Sequence, residues 1–235
     1  MKISAVTRRG IGKPASDDRI LVGSRVLCEE EFTAELPALC PVGIADGVGG
    51  YAGGDIAAQY VCERLSQCAP ELDAVTALND SIIAISRKTT GKEKMASTFS
   101  GIIPVTEGMV RLLHIGNTRV YAIQGGYLKQ LTTDMTAYNY FMSLGRTEDA
   151  ENCSRSEITA CFGGGIRSLF KPLLTEIQPC SVLITSDGVH DFVDIDALEQ
   201  LISEAGSDIE ACRRIVAASL ECGSEDDISV LIARI

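Results

Sequence analysis

Four short Asp-bearing segments, each at the end of an apolar run, are spread along this 235-residue chain. They read Ser16-Asp17-Asp18, Ala45-Asp46-Gly47-Val48-Gly49-Gly50, Thr185-Ser186-Asp187-Gly188-Val189-His190-Asp191 and Glu225-Asp226-Asp227-Ile228-Ser229. Carboxylates at the tips of buried strands repel one another in a low-dielectric setting and push each other's pKa upward. A fold that gathers them therefore needs a cation to hold them together. Hard divalent ions suit this task, because Mg²⁺ and Mn²⁺ take oxygen ligands, and paired ions activate water for attack on phosphorus. The pattern points to a dinuclear metal hydrolase.

The rest of the composition narrows the class. No Pro/Ser/Gly-rich linker divides the chain, so residues 1–235 read as a single domain. A net charge of -11 speaks against a nucleic-acid partner, which needs a basic face to release counterions. No run of 18 apolar residues and no long apolar leader follows Met1, so a soluble, cytoplasmic protein away from membranes is expected. Nine cysteines, at 28, 40, 62, 68, 153, 161, 180, 212 and 222, form no Cys-x-x-Cys pair and read as reduced thiols.

Along the chain, Arg19 to Leu27 and Pro41 to Ala45 read as strands. Ile56, Tyr60, Val61, Leu65 and Cys68 follow with helical spacing, and Asp73 is placed to cap a second helix with its stripe at Val75, Leu78, Ile82 and Ile85. An antiparallel meander is predicted over Thr98 to Pro104, Met109 to Ile115, Arg119 to Ile123 and Tyr127 to Leu131, turning at Gly125-Gly126. A helix near Tyr138 to Leu144, a strand at Val182 to Thr185, two helical stripes and a closing strand from Ile228 to Ile232 complete the reading. Strands and helices are grouped rather than alternating, which favours an α+β layered domain.

The order of motifs resembles that of the metal-dependent PPM-type (type 2C) serine/threonine protein phosphatases, bacterial branch. Asp46 to Asp55 resembles D-G-x-G-G-x-A-x-G-E, and Met95-Ala96-Ser97-Thr98 resembles M-G-T-T. Ile115 to Arg119 resembles V-G-D-S-R, Leu128 to Asp134 resembles L-x-x-L-T-x-D, Ser186 to Asp191 resembles S-D-G-L-x-D, and Asp226 to Val230 resembles D-N-I-T-V. The resemblance implies a four-layer αββα sandwich, with two antiparallel sheets flanked by helices, and a site for two Mn²⁺ or Mg²⁺ ions at one edge. It further implies Asp46 as the bridging ligand, the Gly47 carbonyl beside it, and Asp18, Asp187 and Asp226 as the other carboxylates, with a metal-bridging water attacking phosphoserine or phosphothreonine. Phosphorylated proteins, themselves products of a serine/threonine kinase, are the implied substrates.

Several positions depart from that pattern. Lys13 stands where the family has an Arg that grips the substrate phosphate; Lys lacks the planar fork, so weaker substrate holding is expected rather than lost chemistry. Asn117 replaces an Asp that, with the residue matching Asp191, helps hold a third and weaker metal. Asp227 replaces Asn beside Asp226, with a small effect expected. A short flap is expected over residues 135–157, covering the site and tuning substrate choice.

Taken singly, each acidic segment has a plainer reading: Asp46-Gly47 as a turn, Asp191 as a helix cap, Asp226-Asp227 as a solvated turn. His114, inside an apolar strand, reads as a core residue, whereas His190 has a claim to the site. No Gly-x-Ser-x-Gly elbow or P-loop is present. The alternative to catalysis is a lapsed phosphatase-like domain that binds phosphoproteins as a regulatory module. Retention of four mutually repelling carboxylates argues for catalysis.

Overall fold

In a computed structural model, the structure describes residues 1–36, 39–49, 52–67, 71–106 and 108–235. Gly50 and Tyr51 of the Gly-rich segment, and Cys68 of the first helical stripe, lie outside the described residues. In chain order the first half contains β1 (Lys2–Arg8), β2 (Arg19–Val22), β3 (Arg25–Leu27), β4 (Glu31–Glu35), β5 (Val42–Ala45), α1 (Gly54–Leu65), α2 (Leu72–Ser86), β6 (Ala96–Ser97), β7 (Phe99–Thr106) and β8 (Met109–Ile115). The second half contains β9 (Arg119–Gln124), β10 (Tyr127–Gln130), α3 (Ala137–Ser143), α4 (Thr147–Glu151), β11 (Phe162–Gly163), β12 (Leu173–Ile177), β13 (Val182–Thr185), α5 (Asp187–His190), α6 (Ile195–Ser203), α7 (Asp208–Glu221) and β14 (Ile228–Arg234).

Two six-stranded sheets form the body, ordered β10-β9-β13-β14-β1-β4 and β12-β8-β7-β5-β2-β3, and β6 pairs separately with β11. Strand pairing is antiparallel throughout. The two-residue periodicity of the central strands divides their side chains between two cores. In β13, Val182 and Ile184 enter the core between the sheets while Leu183 faces α6 and α7. In β2, Ile20 and Val22 enter the same central core while Leu21 faces α1 and α2. Strands covered on both faces tend to be apolar along their length, which is why Val182 to Ile184 and Val42 to Ala45 read as unbroken apolar runs. The αββα layering follows.

Local differences from the sequence reading have identifiable causes. Arg19 to Leu27 is a hairpin rather than one strand, because Gly23 turns the chain at φ 62° and lets Leu21 pair with Val26. The buried face of α1 is Ala57, Ala58, Val61, Cys62 and Leu65, while Ile56 faces outward at 38 % exposure. Asp73 lies in the first turn of α2, and Glu71 holds the cap position. The strands β1, β4 and β12 were not anticipated. Two buried polar residues, Ser4 and Thr7, interrupt β1, and β4 and β12 are edge strands without a fully buried position.

The registers place all four acidic segments at one end of the sandwich. Arg19 at the start of β2 is paired with Ala45 at the end of β5, so Asp18 and Asp46 flank the same level of one sheet. Thr185 at the end of β13 is paired with Val230 near the start of β14, so Asp187 and Asp226 flank the same level of the other.

Candidate metal centre

Each acid is aimed by its own local device. Ser16 Oγ accepts from Asp18 N at 3.1 Å, and Arg19 holds the loop from above by donating to the carbonyls of Ser16 and Asp18, both at 2.8 Å. This turns the Asp18 side chain into the protein. Asp46 is clamped through its backbone: its N–H donates to Thr98 Oγ1 at 3.2 Å, and its carbonyl accepts from Thr98 N at 2.8 Å and Ser97 Oγ at 3.1 Å. Gly47 must lack a side chain, because a Cβ would lie 2.4 Å from the backbone of Gly54, where α1 begins. Asp187 opens α5 and accepts from Asn117 Nδ2 at 2.9 Å. Asp226 Oδ1 accepts from Asp227 N and from Lys13 Nζ.

Asp46, Asp187 and Asp226 line a cleft of about 440 Å³ whose walls also include Lys13, Gly47 and Asn117, while Asp18 is buried and does not reach its surface. Ser156 and Ile158, at the C-terminal end of the flap, close one side. The flap is anchored where Thr136 bridges Ile158 and Ala137 N donates to Glu157 O, and it carries α3 and the unanticipated α4.

The electrostatics of the cleft are those of an acid cluster without enough counter-charge. Asp18 is 1 % exposed, and neither of its carboxylate oxygens has a hydrogen-bond partner. Burial, reinforced by the charges of Asp227 and Asp187, pushes its carboxyl up to about 8. The nearby Ser229 and Ser186 hydroxyls are already engaged with Thr7 and with Asp227 O. Burial, then Asp187, Asp18 and Asp226, hold Asp46 well above the carboxylate range against the pull of Lys13. Asp187 is raised to about 6 by burial, Asp226 and Asp191, although Asn117 works against the rise. A bare buried carboxylate beside like charges is costly unless a cation is nearby.

The donor set fits hard divalent ions. All the candidate donors are oxygens, and the orphaned Asp18 oxygens supply acceptors that nothing in the protein uses. Among the described residues no three His, Cys, Asp or Glu side chains close on one point. Ions that retain much of their hydration and need only one or two carboxylates each are suited to such an open cluster; Zn²⁺ in a closed tetrahedral cage is not.

Other expected residues fall in different places. Asp191 is exposed and does not line the cleft, although its charge adds to the rise at Asp187. His190 also lies off the cleft: its Nδ1 meets Thr185 Oγ1 at 2.9 Å, its Nε2 is buried without a partner, and burial and Arg119 lower its pKa well below the ordinary value. His114 is fully buried between Ser100 Oγ and Thr133 O, a core residue as read. Arg119 and Asp134, each from a family-like motif, pair with one another in a half-buried fork, with Arg119 Nη2 2.6 Å from Asp134 Oδ2. The pair ties the start of β9 to the residue that precedes the flap. Sequence reasoning missed Asp17, whose Oδ1 accepts from Asp55 N in the first turn of α1 at 2.9 Å, and it missed the clamp formed by Thr98.

Asp227 requires a correction. Far from being a bystander, it is 3 % exposed and accepts from Gly10 N at 2.7 Å, Asp17 N at 2.8 Å and Lys13 Nζ at 3.0 Å. Lys13 lines the cleft as expected, but its ammonium rests on Asp226 and Asp227.

The chain is similar to known proteins in both sequence and fold. No family model matches the chain. The serine/threonine protein phosphatase PstP of Mycobacterium tuberculosis is 28 % identical over an alignment of 257 residues, covering 99 % of this chain and 45 % of PstP; the chain thus spans about half of that relative's length. The serine/threonine phosphatase stp of Listeria monocytogenes is 24 % identical, covering 80 % of this chain and 82 % of stp. A crystal structure of M. tuberculosis PstP superposes with a TM-score of 0.79 at 26 % identity over 99 % of this chain and 97 % of that one. The PstP catalytic domain in complex with two manganese ions gives 0.77 at 25 % identity over 100 % and 99 %. In fold, motif order and sequence the chain is therefore similar to the bacterial PPM-type serine/threonine protein phosphatases.

Proposed function

We propose that the chain hydrolyses phosphoserine and phosphothreonine in proteins with Mn²⁺ or Mg²⁺, as the counterpart of a serine/threonine kinase in the cytoplasm. The observation that carries this reading is Asp18, a buried carboxylate with both oxygens unpartnered in the same acid cluster as Asp46, Asp187 and Asp226. The carboxylates of these four residues and the Gly47 carbonyl would hold two ions, with Asp191 contributing to a third, weaker site. Bound there, the ions supply a water of lowered pKa and neutralise charge on the phosphoryl oxygens.

The remaining work falls to the chain. Thr98 fixes the backbone on both sides of Asp46, and the Asn117 amide sets the plane of the Asp187 carboxylate. Lys13 uses two ammonium protons on Asp226 and Asp227, which leaves one to meet a phosphate oxygen. Ser156 and Ile158 bring the flap against the substrate. The net charge of -11 disfavours nucleic acid, and among the described residues no helix is long and apolar enough to cross a membrane.

The test is phosphate release from a phosphothreonine peptide by metal-stripped protein with Mn²⁺ or Mg²⁺ restored, alongside Asp46→Asn and Asp187→Asn. Turnover that depends on metal and disappears in both variants is expected. Turnover that survives chelation would overturn the reading.

A further inference from the structure

The two charged departures from the family-like motifs, Lys13 and Asp227, are in contact. They are 214 positions apart, yet Lys13 Nζ donates to Asp227 Oδ2 at 3.0 Å and also to Asp226 Oδ1. Asp227 accepts three donors, all from the loop between β1 and β2: the Gly10 and Asp17 amides and the Lys13 ammonium. Asn in this place would offer one acceptor oxygen and turn its NH₂ toward donors, leaving at least one of them unpaired. A compact ammonium fits between two adjacent carboxylates, where a planar guanidinium needs a fork-shaped acceptor.

We infer that Asp227 is a positioning residue for the substrate phosphate: together with Asp226 it holds the Lys13 ammonium at the cleft wall, so that Lys13 and Asp227 act as one unit. The inference rests on the phosphatase reading for its substrate, a phosphomonoester. Gly10 adds to the constraint, since a Cβ there would lie 2.5 Å from Glu225 O, so the loop is seated closely against the segment that carries Asp227. Charge counting alone predicts the opposite effect for Asp227. Removing a carboxylate from beside a phosphate site lowers repulsion and should tighten binding.

The experiment is a double-mutant cycle on the Mn²⁺-loaded protein with Asp227→Asn, Lys13→Met and the double variant. Two quantities are read: the Kd for inorganic phosphate, and KM and kcat for a phosphothreonine peptide. Asp227→Asn should weaken phosphate binding and raise KM by about tenfold, with a smaller change in kcat, and should add little once Lys13 is Met, because contacting residues do not act additively. Lys13→Arg combined with Asp227→Asn restores the motif pattern and should recover much of the loss. A purely structural Asp227 would lower the melting temperature but change phosphate affinity equally in both backgrounds. That result, or tighter phosphate binding in Asp227→Asn, overturns the inference. Coupled phosphate affinities without turnover in the unmodified chain would retain the pair and remove the phosphatase reading instead.

Discussion

Replacing Asp18 by Asn should stabilise the metal-stripped protein, and by more as the pH rises. In the folded protein its carboxyl is pushed up to about 8 by burial first, with the nearby charges of Asp227 and Asp187 adding to the rise, against about 4 in an unfolded chain. Between these values the folded state holds a proton that the unfolded state has lost. The contribution to stability is therefore complete below about pH 4 and is lost as the pH climbs through about 8. From pH 5.5 to pH 8 the loss amounts to about 3 kcal/mol at 1.36 kcal/mol per pH unit. For 235 residues the unfolding entropy is about 0.5 kcal/mol per kelvin, so the wild type should lose about 6 °C relative to Asp18→Asn across that interval. The assay is thermal melting of both proteins in chelator at the two pH values, so that every other titrating group largely cancels in the difference. Restoring Mn²⁺ should reverse the ranking at pH 8, since a cation makes the Asp18 charge an asset. Parallel pH dependence of wild type and variant in chelator would refute the reasoning, because it would mean that the Asp18 carboxyl is solvated after all.

The readable parts of the fold are those where burial on both faces or on a clear stripe leaves a period in the sequence. Met109–Ile115 and Val182–Thr185 match the predicted strands residue for residue. By contrast, β1 pairs with β14 along seven residues but carries Ser4 and Thr7 at buried positions, where Thr7 Oγ1 accepts from Ser229 Oγ. A polar residue satisfied by a partner 222 positions away carries no local signal. The edge strands β4 and β12 are defined by pairing rather than by hydrophobicity. In α1 the small side chains of Ala57 and Ala58 form the buried face because the helix lies close on the sheet, while the larger Ile56 faces solvent.

The same division holds at the site. That Asp18, Asp46, Asp187 and Asp226 share one end of the sandwich was legible, since each ends or precedes a strand and antiparallel registers bring such ends together. What holds them was not. Thr98, Asn117, Asp17 and Asp227 act through donors and acceptors 38 to 217 positions away, and a single sequence does not show which distant amide will need an acceptor. Asp191 sits farther out: its side chain is exposed and does not line the cleft, although its charge still reaches Asp187.

Two further substitutions probe the scaffold of the cleft. Gly116→Ala should destabilise by several kcal/mol, because the residue sits at φ 105° and a Cβ would lie 2.5 Å from Thr98 Cγ2; denaturant unfolding measures it, and a change within about 0.5 kcal/mol would show that the turn relaxes freely. Asn117→Asp acts on charge instead. The amide that donates to Asp187 Oδ2 becomes a carboxylate facing another, so the chelated protein should lose stability by about 1 to 3 kcal/mol, and more at pH 8 than at pH 5.5, since Asp187 itself is raised to about 6. With Mn²⁺ present the sign should change, because an added oxygen donor strengthens a weak cation site. Calorimetric titration of Mn²⁺ into both proteins decides the matter. An extra or tighter binding event in Asn117→Asp is expected, whereas an unchanged isotherm would mean that position 117 orients Asp187 and has no part in holding a third ion.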